Sequence, residues 1–136
     1  MVATDEGLVV VASGSRDLAW PLWRVIEALR SAAGGERVQL LLHGGCRGAD
    51  ALADQAARRL DWPVQPMPAQ WRLHGRSAGP LRNTSMLRSA LVVAAKQQAE
   101  VLVIAFPGGV GTSDLVGKAR KHKQGGSRLR IERVIA

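Results

Sequence analysis

Short, unbroken apolar runs alternate along the chain with longer stretches in which apolar residues recur every third or fourth position. Residues 8–12, 38–42 and 101–106 are the continuous runs, the pattern of strands covered on both faces of a parallel sheet. Weaker strands are expected around 63–67 and 129–135. Between the first two runs, Leu22, Val25, Ile26 and Leu29 share one helical face, and Pro21 suits the start of that helix because its missing N–H would find no partner there. Ala49, Leu52, Ala53, Ala56 and Leu60 repeat the spacing. A long third helix is expected over 79–98 and a fourth over 112–123. Leu91-Val92-Val93-Ala94 also fits a strand.

Five strands and four helices in alternation predict an α/β fold, a Rossmann-like open parallel sheet with helices on both faces. In such sheets ligands bind beyond the carboxyl ends of the strands, where the strand order reverses. No internal repeat or linker interrupts the pattern, so residues 1–136 are expected to form one domain.

Composition narrows the setting. The chain has 136 residues, 46% of them hydrophobic and 22% charged, enough to build a core without disulfide or metal staples. The single Cys46 rules out an internal disulfide and suits a reducing cytosol. No apolar run approaches the roughly 18 residues of a membrane span. Asp5 and Glu6 stand where a signal peptide would be basic. A cytoplasmic protein with no membrane partner is expected.

The net charge of +8 is unevenly spread: −1 over residues 1–69, +5 over 70–99, −2 over 100–117 and +6 over 118–136. Arg supplies 15 of the 19 basic residues, and its guanidinium fork suits phosphate oxygens. The two basic blocks fit either a solvated face or an anion-binding face. With Trp20, Trp23, Trp62, Trp71 and Phe106 as its aromatics, the chain is poorly supplied with a stacking platform for single strands.

Three glycine-bearing loops each follow an expected strand and open a helix: Ser13-Gly14-Ser15-Arg16-Asp17, His43-Gly44-Gly45-Cys46-Arg47-Gly48-Ala49-Asp50 and Pro107-Gly108-Gly109-Val110-Gly111-Thr112-Ser113-Asp114. Such turns let backbone approach a phosphate, while the helix start offers unpaired N–H groups and the positive end of its dipole. Any one of them also reads as a tight turn with a helix cap. In the last loop Gly108, Gly109 and Gly111 clear space for a phosphate and Thr112 can cap or bind. No G-x-x-x-x-G-K-[ST] occurs, and Gly109-Val110-Gly111 lacks the third glycine of G-x-G-x-x-G. Asp50 and Asp114 fall in first helical turns, where the dipole alone favours them; as ligand groups they suit a ribose diol. Arg16, Arg47 and Arg82 are candidate phosphate or base clamps, or ordinary surface ion pairs.

At these residues the chain resembles the SLOG superfamily, which unites the LOG phosphoribohydrolases with the DNA-processing protein A family, and most specifically its small YspA, cpYpsA-related members. The resemblance runs through Gly14-Ser15-Arg16-Asp17, the segment 42–50, His74-Gly75-Arg76, Ala78-Gly79-Pro80-Leu81-Arg82-Asn83 with Met86, and the segment 106–112. It implies strand order 3-2-1-4-5, with the loops after the first and fourth strands at the switch point. It also implies a ligand site of Gly14, Ser15, Arg16, Gly44, Gly45, Arg47, Asp50, Asn83, Pro107, Gly108, Gly109, Gly111 and Thr112, and a homodimer. In the LOG enzymes the motif P-G-G-x-G-T-x-x-E supplies an acid that works with an arginine to split a nucleoside monophosphate between base and ribose 5-phosphate. Carried over, that chemistry falls to Arg82 and Asp114. The acid position itself holds Leu115, and Asp114 lies one residue earlier, a turn of about 100° around the helix.

The expected ligand is therefore a nucleotide-like small molecule, either bound unchanged as a signal or hydrolysed at its N-glycosidic bond. The alternative is a single-stranded nucleic acid held by Lys121, Lys123, Arg128 and Arg130, since Gly45-Cys46-Arg47-Gly48-Ala49-Asp50 looks like the G-x-R-G-x-D segment of the DNA-processing proteins. Trp71, near Arg72, His74 and Arg76, reads either as a stacking face or as a partly buried core residue. His43, His74 and His122 are too scattered for zinc, and His43 with Cys46 offers two ligands where a structural site takes four. Neither a metal nor another cofactor is expected. Cys46 reads as a small loop residue or a nucleophile for which no base is placed in sequence.

Overall fold

A computed structural model describes residues 7–135; the acidic opening with Asp5 and Glu6 lies outside the described residues. The elements run β1 (Leu8–Ser13), α1 (Leu22–Ala33), β2 (Val38–His43), α2 (Ala49–Arg59), β3 (Val64–Pro66), α3 (Trp71–His74), a 3-10 turn (Gly75–Ser77), α4 (Ala78–Gln97), β4 (Glu100–Ala105), α5 (Val110–Gln124) and β5 (Leu129–Arg133). All strand pairs are parallel and the sheet order is β3-β2-β1-β4-β5.

Side-chain alternation along the central strands builds two cores. Leu8, Val10 and Ala12 of β1 and Leu102 and Ile104 of β4 face Val25, Leu29, Ala53 and Ala56 of α1 and α2. Val9, Val11, Val101 and Val103 face Met86, Leu87, Ala90, Leu115 and Ala119 of α4 and α5. Each buried Val or Leu contributes about 1.5–3 kcal/mol, so strands apolar on both faces are stable only in the middle of such a sandwich.

The structure takes the helical one of the two readings open for 91–94, within the long helix expected there, and adds one short helix that the pattern does not show. The segment 91–94 is helical: Ala90 and Ala94, one turn apart, are buried while Val92 is exposed, which is a 3.6-residue period rather than alternation. Before α4 stands the short α3, which buries no residue and ends at Gly75 with φ 56°. A helix without a buried face leaves no apolar stripe to read. At the far edge, β3 is only three residues long, and Pro66, which has no N–H for a further neighbour, suits an edge strand.

The ends of β1 and β4 are level, with Ser13 paired to Ala105, so their following loops leave the sheet side by side. Gly14 makes this possible. A Cβ there would lie 2.6 Å from Ala49 Cβ and 2.8 Å from Phe106 Cβ, distances that real Cβ atoms do not adopt. Gly14→Ala should therefore destabilise the fold by about 1–3 kcal/mol through overpacking, read as a drop of several degrees in the thermal midpoint; an unchanged midpoint would contradict this packing.

Candidate functional site

The three glycine loops meet at the carboxyl edge of the sheet and tie to one another through backbone. Phe106 N–H donates to Ser13 O (2.8 Å), Ser15 N–H to Pro107 O (2.8 Å) and Ala49 N–H to Ser15 O (2.9 Å). Gly48 (φ 72°) permits the last contact, since a Cβ would meet Arg16 O at 2.3 Å and Ser15 O at 2.5 Å. Beside this junction lies a cleft of about 450 Å³, bordered by the β1 loop, Asp50, the stretch from Trp71 to Asn83, and the first turn of α5.

Similar in sequence, the loops differ in what their amides do. In the second loop, Gly45 N–H donates to His43 Nδ1 (3.0 Å) and Cys46 N–H to Asp50 Oδ2 (3.2 Å). In the first, Ser15 N–H is used by Pro107, and Ser15 Oγ accepts the Asp17 N–H at 3.0 Å. The α5 loop is different. Among the described residues no side chain caps α5, whose N-cap is Gly109, and its backbone bonding begins with Ser113 N–H to Gly109 O at 3.0 Å. The preceding first-turn amides therefore border the cleft as orphan donors at the positive end of a helix. The glycines divide in the same way. The Cβ positions of Gly14, Gly44 and Gly108 are filled by protein atoms, whereas those of Gly109 and Gly111 meet nothing within 4 Å.

A buried side chain connects the cleft walls. Asn83, 3% exposed, donates from Nδ2 to Gly111 O (3.1 Å) and Asp114 Oδ2 (3.0 Å), and accepts at Oδ1 from Arg82 Nε (3.0 Å). Arg82 Nη1 donates onward to Gly44 O (2.6 Å) and Met67 O (3.3 Å). Lys118 Nζ donates to Asp114 Oδ2 (2.9 Å) and Pro80 O (2.8 Å). Burial disfavours the Asp114 carboxylate, but the Lys118 and Asn83 hydrogen bonds outweigh it and hold its pKa below the ordinary value. Asp50 is the opposite case. Its burial raises the carboxyl pKa, and the Cys46 N–H with the nearby His43 and Arg82 only partly offset that.

His43 fixes the second loop from below. Its Nδ1 accepts from Gly45, which places the ring proton on Nε2, 2.7 Å from Asp54 Oδ2. Hydrogen bonding from Arg58 holds Asp54 below the ordinary carboxylate pKa against the push of burial, and His43 adds to it. The sequence pattern does not reveal this pair, although His43 and Asp54 fall at a strand end and one helical turn after Asp50.

Of the residues the sequence singles out, Gly14, Ser15, Arg16, Asp50, Arg82, Asn83, Gly109, Gly111, Thr112 and Asp114 border the cleft. Gly44 sits behind it, under Arg82 and Asp50. Gly45 packs on Pro68, and Pro107 and Gly108 face a separate depression beside Trp20. Arg47 turns to Asp17 at 3.3 Å, an exposed pair that contributes little. Thr112 Oγ1 lies 3.0 Å from Ser13 Oγ. Trp71 borders the cleft at 46% exposure, with the Arg16 guanidinium carbon 5.3 Å from its ring centre, a contact of about 0.5–1 kcal/mol at an exposed site. Ser13, which opens the first glycine loop, lines the cleft as well, and Asp17, Cys46, Arg76, Gly79 and Pro80 join the lining without having been singled out for it; for Arg76 and Gly79 the signal was the motif in which each stands. Among the described residues no group of His, Cys, Asp or Glu could hold a metal ion, and no helix is long and apolar enough to cross a membrane.

The five-stranded parallel sheet, with helices on both faces and its cleft at the β1–β4 switch point, is of the Rossmann-like α/β class. Residues 8–74 match the YspA, cpYpsA-related SLOG family. The gene 61 protein of Mycobacterium phage D29 is 38% identical over 89 residues, covering 60% of this chain and 64% of that protein. This chain thus spans less than two thirds of that relative's length. The structure of DNA processing protein A (DprA) from Streptococcus pneumoniae is similar with a TM-score of 0.47 and 17% identity, over 93% of this chain and 59% of that one. The match to this family supports a role related to nucleotides or nucleic acid.

Two measurements check this site. Asn83→Ala removes the two donor contacts that join α4 to α5 and the acceptor of Arg82 Nε–H and should cost about 1–3 kcal/mol of stability; a loss under half a kcal/mol would mean the bridge is dispensable. For Asp50 the folded pKa lies above 3.8, so just above 3.8 the native chain binds a proton that the unfolded chain does not. Its contribution to stability then falls as pH rises through that window. Urea unfolding should show Asp50→Asn gaining on the wild type from pH 4 to pH 7, and a difference that shrinks with pH would reverse the assignment.

Proposed function

We propose that this protein binds a phosphorylated nucleotide in the cleft, with the phosphate on the first turn of α5. The observation that carries this reading is the contrast among the loops: two spend amides on protein acceptors, and the third leaves its first-turn amides uncapped beside two glycines with open space. Helix N-termini of this kind bind phosphate through orphan N–H groups and the dipole. Arg16 and Arg76 add positive charge to the cleft, while Asp50, a buried carboxyl on its lining, is placed for a ribose hydroxyl.

Binding without base release is the reading that the residues favour. Leu115, at the acid position of the LOG motif, is fully buried in the core. Arg82 is engaged with two carbonyl oxygens and Asn83, and Asp114 with Lys118 and Asn83. Neither is left free to act on a glycosidic bond. The basic block after residue 117 is also partly neutralised, because Arg130 pairs with Glu36 (2.8 Å) and Glu100 (2.6 Å), which favours the small ligand over a nucleic-acid strand.

Calorimetric titration with the four ribonucleoside monophosphates tests this. At least one should bind and be recovered intact. Gly111→Asp, which sets a carboxylate where nothing lies within 4 Å, should weaken binding tenfold or more. It should not lower the melting temperature, because an acid in a first turn suits the helix dipole. Folded protein that binds none of them, or a variant that binds as well as wild type, would refute the phosphate position. A single-stranded oligonucleotide that bound with steep salt dependence where mononucleotides did not would give the cleft to strand binding.

A further inference from the structure

Trp71 is a large, half-exposed side chain of this region that neither core holds. Its helix, α3, buries none of its residues and is held by local bonds such as Leu73 N–H and His74 N–H to Gln70 O. Even so, the indole borders the cleft. One end of it rests on the start of α4, where a Cβ on Gly79 would lie 3.4 Å from Trp71 Cη2. Above the ring stands the Arg16 guanidinium at 5.3 Å, with no carboxylate partner among the described residues. Its neighbour Asp17 is turned to Arg47 instead.

We infer that Trp71 is the base-selecting residue of the cleft: the planar base of the bound nucleotide stacks on its indole in the place now held by the Arg16 guanidinium. This rests on the phosphate reading above and adds to it the part of the ligand that the phosphate site cannot distinguish. The exchange is favourable because a loose cation–π contact gives way to the larger overlap of two aromatic faces. The released guanidinium carries its donors toward the nucleotide phosphate, where the α5 amides supply partial rather than full positive charge. A purine, with two fused rings, covers more of the indole than a pyrimidine. The ligand class is thus a purine nucleoside phosphate, and discrimination against base-free sugar phosphates comes from α3.

Ribose 5-phosphate, which has the phosphate and sugar but no base, separates this inference from the one beneath it. Wild-type protein should bind AMP at least tenfold more tightly than ribose 5-phosphate. Trp71→Ala should remove that advantage, leave ribose 5-phosphate binding unchanged and melt as the wild type does, since α3 contributes nothing to the core. Trp71→Phe should restore most of the AMP affinity, and indole emission should change on AMP addition in the wild type but not in Trp71→Phe. An AMP affinity unaffected by Trp71→Ala, or equal affinities for AMP and ribose 5-phosphate, would overturn the stacking role while leaving the phosphate site standing. Failure of both ligands to bind the folded wild type would overturn both. AMP binding that needs Trp71 but is indifferent to Gly111→Asp would keep the stack and reject the phosphate position.

Discussion

The cleft depends on one buried amide. Asn83 spans the gap between the start of α4 and the first turn of α5, and through Arg82 it reaches the carbonyl of Gly44 at the end of β2. Without it, the three loops would still leave the sheet at one edge, because Ser13 and Ala105 are paired at the ends of β1 and β4. Their separation would then be set by backbone contacts on one side alone. A carboxamide suits this position because it both donates and accepts. A carboxylate would face Asp114 and the Gly111 carbonyl with no hydrogen to give, and an apolar side chain would strand the Arg82 Nε–H.

That bridge also explains how charge is arranged around the cleft. Asp114 is paired with Lys118 and accepts a hydrogen bond from Asn83, and Asp17 is paired with Arg47. Asp50 is discouraged from ionising by its burial. Among the described residues the cations Arg16 and Arg76 are not matched by carboxylates in the same way. The proposed phosphate site thus faces guanidiniums and a carboxyl whose burial disfavours its charged form. Buried polar groups of this sort lower stability, and proteins retain them where binding gains from them.

The fold was legible in the sequence because its signals are strong: unbroken apolar strands, helical stripes at 3.6-residue spacing, and glycine at each junction. The resemblance supplied the strand order that periodicity alone does not contain. At the site, the loops were legible but the division of labour among them was not. Gly14, Gly44 and Gly108 look in sequence just like Gly109 and Gly111; only the positions of Ala49, Arg82 and Thr112 show that the first three make room for protein and the last two for something else. Asn83 could be singled out from its motif, but its partners Gly111 and Asp114 lie 28 and 31 positions away, beyond any local pattern. The His43–Asp54 pair was missed for the same reason, and α3 because a helix with no buried face carries no period.

The central claim is that the amides opening α5 are free and receive the phosphate. Two-dimensional amide NMR of the labelled protein titrated with AMP tests it most directly. The account predicts that the largest shifts fall on Gly109, Val110, Gly111 and Thr112, while the amides of Gly45, Cys46 and Ser15, already bonded within the protein, move little. The largest shifts on those latter amides, or none at the start of α5, would contradict it.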